Sequence, residues 1–438
     1  IKKSINERDY LHKLLDSLPD LLAALILEGQ KNIKSIAIIP RDYHFEDSLN
    51  YVLVGLRRAG KSTLLFKRAQ DLVDKQNVDW SQIVYLNFED ERLDGFQLAD
   101  CNNILIAANQ LTTKKHYFLF DEIQNIAGWE KFARRLADQG ESVYLTGSNS
   151  KVLGHDIVLR LGGRYMTKYV APFSFTEYLT AKKIPHDKLS VLDTVNNGQI
   201  RAAANEYLCY GGLPESIILT DKRNYLTSIY QNVFLADIIV RNKIRNEKAI
   251  SLLLRKIADT VIHQVSYATL YKNIKNMIST VSRNSIIDYI DYAKDAYLLF
   301  STKNYFAKFS ERESSPKYYF TDNGILNLFY LDKLPALLEN LVAIKLHNKY
   351  QENLFYLKSQ KTGIDIDFYV PASKTAIQVA WEVNDTSKER EVGNLIKLAD
   401  NFDEVENLII VTHGEEAEIQ QEDKIIQLMP LYKFLLMR

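Results

Sequence analysis

The run Tyr51-Val52-Leu53-Val54-Gly55-Leu56-Arg57-Arg58-Ala59-Gly60-Lys61-Ser62-Thr63 places two glycines, a lysine and two hydroxyls at the spacing GxxxxGK[ST]. Such glycines let backbone N–H groups turn toward an anion, the lysine reaches β- and γ-phosphate oxygens, and the hydroxyl after it can ligate Mg²⁺. Gly55, Leu56, Arg57, Arg58, Ala59, Gly60, Lys61, Ser62 and Thr63 are therefore the expected nucleotide-binding residues. Further on, His116-Tyr117-Phe118-Leu119-Phe120-Asp121-Glu122 is an apolar run closed by two carboxylates. That pattern supplies the metal and water chemistry that a bound triphosphate needs. Asp121, with Ser62, is expected to hold Mg²⁺, and Glu122 to orient and polarise the attacking water.

Other groups are candidates for finer roles. Val143-Tyr144-Leu145-Thr146-Gly147 leads into Ser148 and Asn149, either of which could sense a γ-phosphate. Arg160 and Arg164 bring cations near the end of this region, and Arg164 is the expected arginine finger or sensor, acting within the chain or across a homo-oligomer interface. No Asn-Lys-x-Asp run for reading guanine is present, so the expected nucleotide is ATP.

These residues need a scaffold, and the chain has the means to build one. It has 438 residues, 46% of them hydrophobic and 25% charged, with 17 Gly and 9 Pro, which is the composition of a folded protein of two to four domains. With 55 Lys+Arg against 55 Asp+Glu it is no wholly basic nucleic-acid coat. Its 2 cysteines, Cys101 and Cys209, have no metal-ligand spacing and suit a reducing compartment. The apolar stretch Leu21 to Leu27 is too short to span a bilayer, and no apolar signal core follows the first residues, so a cytoplasmic chain with no membrane partner is expected.

Leucines from Leu11 to Ile26 recur at helical spacing and predict a helix over 7–35. Short apolar runs then alternate with helical stretches: Tyr51 to Val54, Ile83 to Phe88, Tyr117 to Phe120, Val143 to Leu145. Alternation of this kind predicts an α/β domain with a largely parallel sheet. Residues 174 to 262 read as helices, and 266 to 307 as two short helices and a longer third, closed by a strand over Lys303 to Phe306. Beyond lie a helix at 333 to 350 and strands near 353 to 358, 364 to 370, 376 to 382 and 407 to 412.

Taken together, these motifs resemble the prokaryotic AAA-like P-loop ATPases that carry a C-terminal domain of unknown function. The resemblance runs through Gly55 to Ser62, Asp121-Glu122-Ile123-Gln124 with Gly128-Trp129-Glu130, and Leu145-Thr146-Gly147-Ser148. It continues in Leu161-Gly162-Gly163-Arg164-Tyr165, Pro172-Phe173-Ser174-Phe175-Thr176-Glu177-Tyr178 and Tyr210-Gly211-Gly212-Leu213-Pro214-Glu215. It implies an N-terminal helical segment at 1–45, an ATPase domain at 46–172, a helical lid or linker at 173–245, a winged-helix-like unit at 246–310 and a C-terminal restriction-nuclease-like α/β domain at 311–438. In the winged-helix-like unit the would-be reading helix carries Arg283 and Lys294 against Asp288, Asp291 and Asp295, a poor charge for DNA phosphates, so packing or protein contact is favoured over DNA.

The C-terminal resemblance rests on Leu337-Leu338-Glu339-Asn340-Leu341-Val342, Gly363-Ile364-Asp365-Ile366-Asp367-Phe368 and Ile377-Gln378-Val379-Ala380. A nuclease of that type needs clustered carboxylates and a lysine. Glu339, Asp365 and Asp367 could serve, but Gln378 and Ala380 stand where the last carboxylate and the lysine belong, so nuclease activity is not expected. The expected activity is slow Mg²⁺-dependent ATP hydrolysis driving a conformational switch on a protein partner. The alternatives are an ATP-gated non-catalytic adaptor and a DNA-binding ATPase.

Overall fold

In the computed structural model residues 17–147, 161–330, 333–421 and 423–437 are described. The chain forms two compact units. The first takes in the chain up to Gly55 together with Gly60–Val170, and the second takes in Leu56–Ala59 and the chain from Ala171 onward.

The first unit opens on helix α1 (Leu18–Ser35), started by Pro19 and by Asp20, whose carboxylate accepts the Ser17 hydroxyl at 2.6 Å. The part of the expected helix before residue 17 lies outside the described residues. Its Leu22, Leu25, Ile26 and Ile33 are buried. Gly29 is needed where α1 meets the sheet, because a Cβ there would lie 2.8 Å from the Tyr85 ring. Then follow β1 (Asn50–Val54), α2 (Lys61–Gln76), β2 (Ile83–Asn87), α3 (Cys101–Leu111), β3 (Tyr117–Asp121), α4 (Trp129–Asp138), β4 (Ser142–Thr146) and β5 (Tyr165–Tyr169).

These strands form one five-stranded sheet in the order β2-β3-β4-β1-β5, every pair parallel. Val52, Leu53, Val84, Phe118, Leu119, Val143 and Leu145 are 2% exposed or less, as strands covered on both faces require. Strand β5 escapes the sequence reading because Thr167 and Lys168 interrupt its apolar run. Because β4 lies between β1 and β3, the ends of all three strands reach one edge of the sheet together. That edge is where α/β sheets bind ligands.

The second unit begins with helices α5 (Phe175–Ala181), α6 (Thr194–Tyr210) and α7 (Lys222–Asn232), the last running into a π-helical stretch at Val233–Val240. It continues through α8 (Glu247–Asp259), α9 (Tyr267–Lys275) and α10 (Arg283–Asp295). Ser174 and Glu177 close a capping box at α5, and Ser266 and Ser282 cap α9 and α10. Only these last two helices occupy 266–307 among the described residues, and the strand there is β6 (Leu299–Asn304), earlier than the expected Lys303 to Phe306. The run from Leu299 pairs with a strand that the sequence reading lacked, β7 (Lys317–Phe320).

Helix α11 (Phe309–Ser314) lies in sequence between these two strands, and α12 (Asn323–Asn327) and α13 (Leu334–Tyr350) follow them. The rest is β8 (Phe355–Ser359), β9 (Ile364–Val370), β10 (Thr375–Ala380), α14 (Asp385–Asn401), β11 (Asn407–Thr412), β12 (Ala417–Gln421), β13 (Lys424–Pro430) and α15 (Leu431–Leu436). A mixed eight-stranded sheet runs β12-β13-β11-β10-β9-β8-β6-β7. Its core gathers Leu357, Ile366, Tyr369, Leu395, Leu398, Ile410 and Ile426.

Candidate nucleotide site and its relatives

At the end of β1 the backbone must turn away from the sheet, and Gly55 (φ +148°) makes that possible. A Cβ there would lie 2.2 Å from the Val170 carbonyl oxygen. Gly60 (φ +97°) then sets the left-handed turn from which α2 starts at Lys61. A helix N-terminus exposing N–H groups behind a glycine turn suits an anion. Lys61 is buried, 5% exposed, and its Nζ donates to the Gly55 carbonyl at 3.1 Å, so the ammonium lies across the turn.

Strand β3 delivers Asp121 to the same edge. The register pairs Phe120 with Leu145 and Leu53 with Thr146, which sets Thr146 level with Asp121. The Thr146 hydroxyl donates to Asp121 Oδ1 and accepts the Glu122 N–H at 3.0 Å, so one side chain orients both carboxylate residues. The Tyr85 hydroxyl donates to Asp121 Oδ2 at 3.2 Å.

Burial raises the Asp121 carboxyl above its ordinary range; hydrogen bonds from Thr146 and Ser62 and the charge of Lys61 act the other way, and Glu122 adds to the rise. Ser62 and Asp121 thus face each other as a hydroxyl and a carboxylate, the oxygen donors a hard dication takes, usually with water completing the shell.

Glu122 holds a left-handed backbone (φ +51°), an uncommon conformation for a residue with a Cβ. Its Oε2 accepts from the Gln124 amide, and Gln124 Oε1 is a buried acceptor with no hydrogen-bond partner. A cleft of about 720 Å³ in the same unit is lined by Phe88, Glu89, Asp90, Glu91 and Asp94 among others. Its carboxylates repel a triphosphate, so the loop, not this cleft, is the candidate nucleotide site.

Comparison with known proteins gives the family. The AAA domain family matches residues 48–179, and a domain of unknown function, DUF8612, matches 201–337. An uncharacterized protein of Methanocaldococcus jannaschii is 32% identical over 430 residues, 95% of each chain. The chain belongs to the AAA-like P-loop ATPase family. A second relative, from Haemophilus influenzae, is 28% identical over 403 residues, covering 88% of this chain and 96% of its own. Among solved structures, a Walker-type ATPase of Pyrococcus abyssi aligns at 13% identity over 68% of this chain and 99% of its own, with a TM-score of 0.39. The Orc1 protein of Aeropyrum pernix, solved in complex with DNA, aligns at 13% identity over 74% and 91%, with a TM-score of 0.31. Family and site geometry together support ATP binding and hydrolysis in general terms.

Ser148, Asn149 and Arg160 lie outside the described residues. Arg164 forms an ion pair with Asp138 and donates to the Gly162 carbonyl at 3.3 Å. Leu56–Ala59 group with the second unit, where Arg58 Nη1 lies 2.9 Å from Glu215 Oε1. Among the described residues no helix is long and apolar enough to cross a membrane.

The second unit places Glu339 and Asp367 together around the Lys317 ammonium. Both carboxylates accept from Lys317 Nζ, at 3.3 and 3.0 Å, while Asp365 pairs with Lys358 at 2.7 Å. Sequence reasoning missed Tyr85 and Lys317, which carry no motif of their own, and met Gln124 only as one member of Asp121-Glu122-Ile123-Gln124. Thr146 was visible only as one member of Leu145-Thr146-Gly147-Ser148.

Proposed function

We propose that the chain is an Mg²⁺-dependent ATPase that uses ATP as a conformational switch on a protein partner. The observation that carries this reading is the Thr146 hydroxyl held between Asp121 and the Glu122 backbone, beside Ser62 and the Lys61 turn. Phosphoryl transfer is mostly positioning and charge stabilisation, which few groups can supply.

In this reading Gly55 to Thr63 cradle the phosphates, and Lys61 leaves the Gly55 carbonyl for the β- and γ-oxygens. Mg²⁺, held by Ser62 and Asp121, would offset charge on the phosphates. Glu122 orients the attacking water and takes up its proton, and Gln124 steadies the Glu122 carboxylate. Arg164, freed from Asp138, could act as a finger toward a second copy, and Ser148 or Asn149 as the γ-phosphate sensor.

A protein rather than DNA as client is supported by two features. Helix α10 turns Ile286, Ile290 and Ala293 inward and leaves Asp288 exposed. Leu189, Leu192 and Val195 are 78%, 79% and 72% exposed, an apolar surface of the kind partners cover. The winged-helix-like and restriction-nuclease-like readings of 246–310 and 311–438 remain part of this proposal, the latter as an interaction surface.

The test is phosphate release from ATP by the purified chain, with Mg²⁺ and with EDTA, beside Glu122→Gln and Lys61→Ala. Glu122→Gln is expected to bind ATP and release at most about 1% of the parent's phosphate, within the range for losing a catalytic acid–base group. Lys61→Ala is expected to lose ATP binding. Equal turnover by Glu122→Gln and the parent would remove Glu122 from the chemistry, and unchanged affinity in Lys61→Ala would remove the loop.

A further inference from the structure

The second unit buries an ion cluster that ATP chemistry does not use. Lys317, on β7, is 3% exposed. Its Nζ lies 3.0 Å from Asp367 Oδ1 on β9 and 3.3 Å from Glu339 Oε1 on α13. It also sits 5.8 Å from the centre of the Tyr356 ring on β8, within cation–π range. Tyr319, two residues along β7, donates its hydroxyl to the same Glu339 oxygen at 2.9 Å.

The framework around this cation is equally well occupied. Asp367 Oδ2 accepts the Val379 N–H at 3.0 Å. Gln378 Oε1 accepts the Asp367 N–H at 2.7 Å, and Gln378 Nε2 donates to the Asp365 carbonyl at 3.1 Å and to Glu391 Oε2 at 2.8 Å. Glu391 is itself 4% exposed.

Buried carboxylates this close stay ionised only beside a cation, since their mutual repulsion adds to the cost of desolvation. A protein interior can supply a metal ion or an ammonium. Divalent ions sit about 2.0–2.6 Å from their oxygen ligands, and here an ammonium already stands between the two carboxylates at hydrogen-bond distance. Among the described residues no three His, Cys, Asp or Glu side chains are grouped so as to hold a metal ion.

We propose that the Lys317 ammonium is a built-in cation that takes the place of a divalent metal between Glu339 and Asp367, making this cluster a metal-free ionic lock that joins β7, α13 and β9. Glutamine at position 378 fits the same design, because its amide ties Asp367 to Glu391 without adding a further negative charge. Shortening Lys317 then leaves two carboxylates without their cation and opens a place for Mn²⁺ or Mg²⁺.

The test is thermal unfolding of the full, nucleotide-free chain after EDTA treatment, with and without Mn²⁺. The parent is expected to show no Mn²⁺-dependent shift that depends on Glu339. Lys317→Ala is expected to unfold several degrees lower and to regain at least about 2 °C with Mn²⁺. The neutral pair Lys317→Gln with Glu339→Gln is expected to fold and to ignore Mn²⁺.

A parent shift with Mn²⁺ that disappears in Glu339→Gln would overturn the proposal, because the native cluster would then be a metal site. A folded Lys317→Ala chain that does not respond to Mn²⁺ would overturn it equally. Should Lys317→Ala fail to fold, the parent titrated beside Glu339→Gln still decides.

Discussion

At the scale of single residues, Thr146 connects the two carboxylate residues of the candidate nucleotide site. Its hydroxyl donates a hydrogen bond to Asp121 and accepts one from the Glu122 backbone N–H, so the two neighbouring acidic residues are set by a side chain on the adjacent strand. Thr146→Val keeps the shape and removes the hydroxyl. Asp121 then loses a donor and the Glu122 N–H loses its acceptor, and kcat is expected to fall about 10- to 100-fold, as for other groups that orient a metal ligand. ATP affinity should change little, because Lys61 and the glycine turn are untouched. Steady-state kinetics with a separate ATP-binding titration would check this. Unchanged kcat would mean that Thr146 only fills space. Lys61, Asp121 and Glu122 were legible from the sequence because their motif encodes their chemistry, whereas Tyr85 and Gln124 gain meaning only from what they touch.

At the scale of elements, close backbone approaches explain a motif whose chemistry was not readable. In Tyr210-Gly211-Gly212-Leu213-Pro214-Glu215, a Cβ on Gly212 would lie 2.2 Å from the Phe173 carbonyl oxygen. A Cβ on Gly211 would lie 2.3 Å from the Asp322 carboxylate, which accepts the Gly212 N–H at 2.8 Å. Across from this loop, a Cβ on Gly324 would lie 2.2 Å from the Tyr210 carbonyl oxygen. Neither α6 nor α12 can move away, because the Asn323 amide donates to the Leu208 and Leu337 carbonyls at 2.8 and 2.9 Å. Asn340 adds bonds to both backbone groups of Phe320. Gly324→Ala is therefore expected to destabilise the second unit by about 2–4 kcal/mol, the range for overpacking and backbone clashes. Denaturant unfolding followed by circular dichroism measures it, and a change under about 0.5 kcal/mol, the level of an ordinary surface substitution, would show that the approach relaxes freely.

At the scale of the whole molecule, an even balance of 55 basic and 55 acidic residues hides strongly unequal local environments. His347 stacks on Phe300 with ring centres 4.1 Å apart, and burial pushes its pKa from 6.5 down to about 4. The folded chain therefore favours the neutral ring. This contribution is complete above about pH 6.5 and is lost as the pH falls toward and through about 4. Relative to His347→Gln, the parent should lose up to about 3 kcal/mol between pH 7 and pH 4. Parallel pH profiles of the two chains would refute this by staying parallel.

The sequence by itself determined the parallel sheet and the residues of the candidate nucleotide site at its edge. A phosphate loop has to combine fixed residue types at fixed spacing, and strands buried on both faces have to be apolar throughout. Only the tertiary structure decided where the remaining charges are neutralised. Lys317 meets Glu339 and Asp367 from 22 and 50 residues away, and Arg164 meets Asp138 rather than the loop. Ion pairs of that kind depend on which strands become neighbours in space, and no local periodicity carries that information.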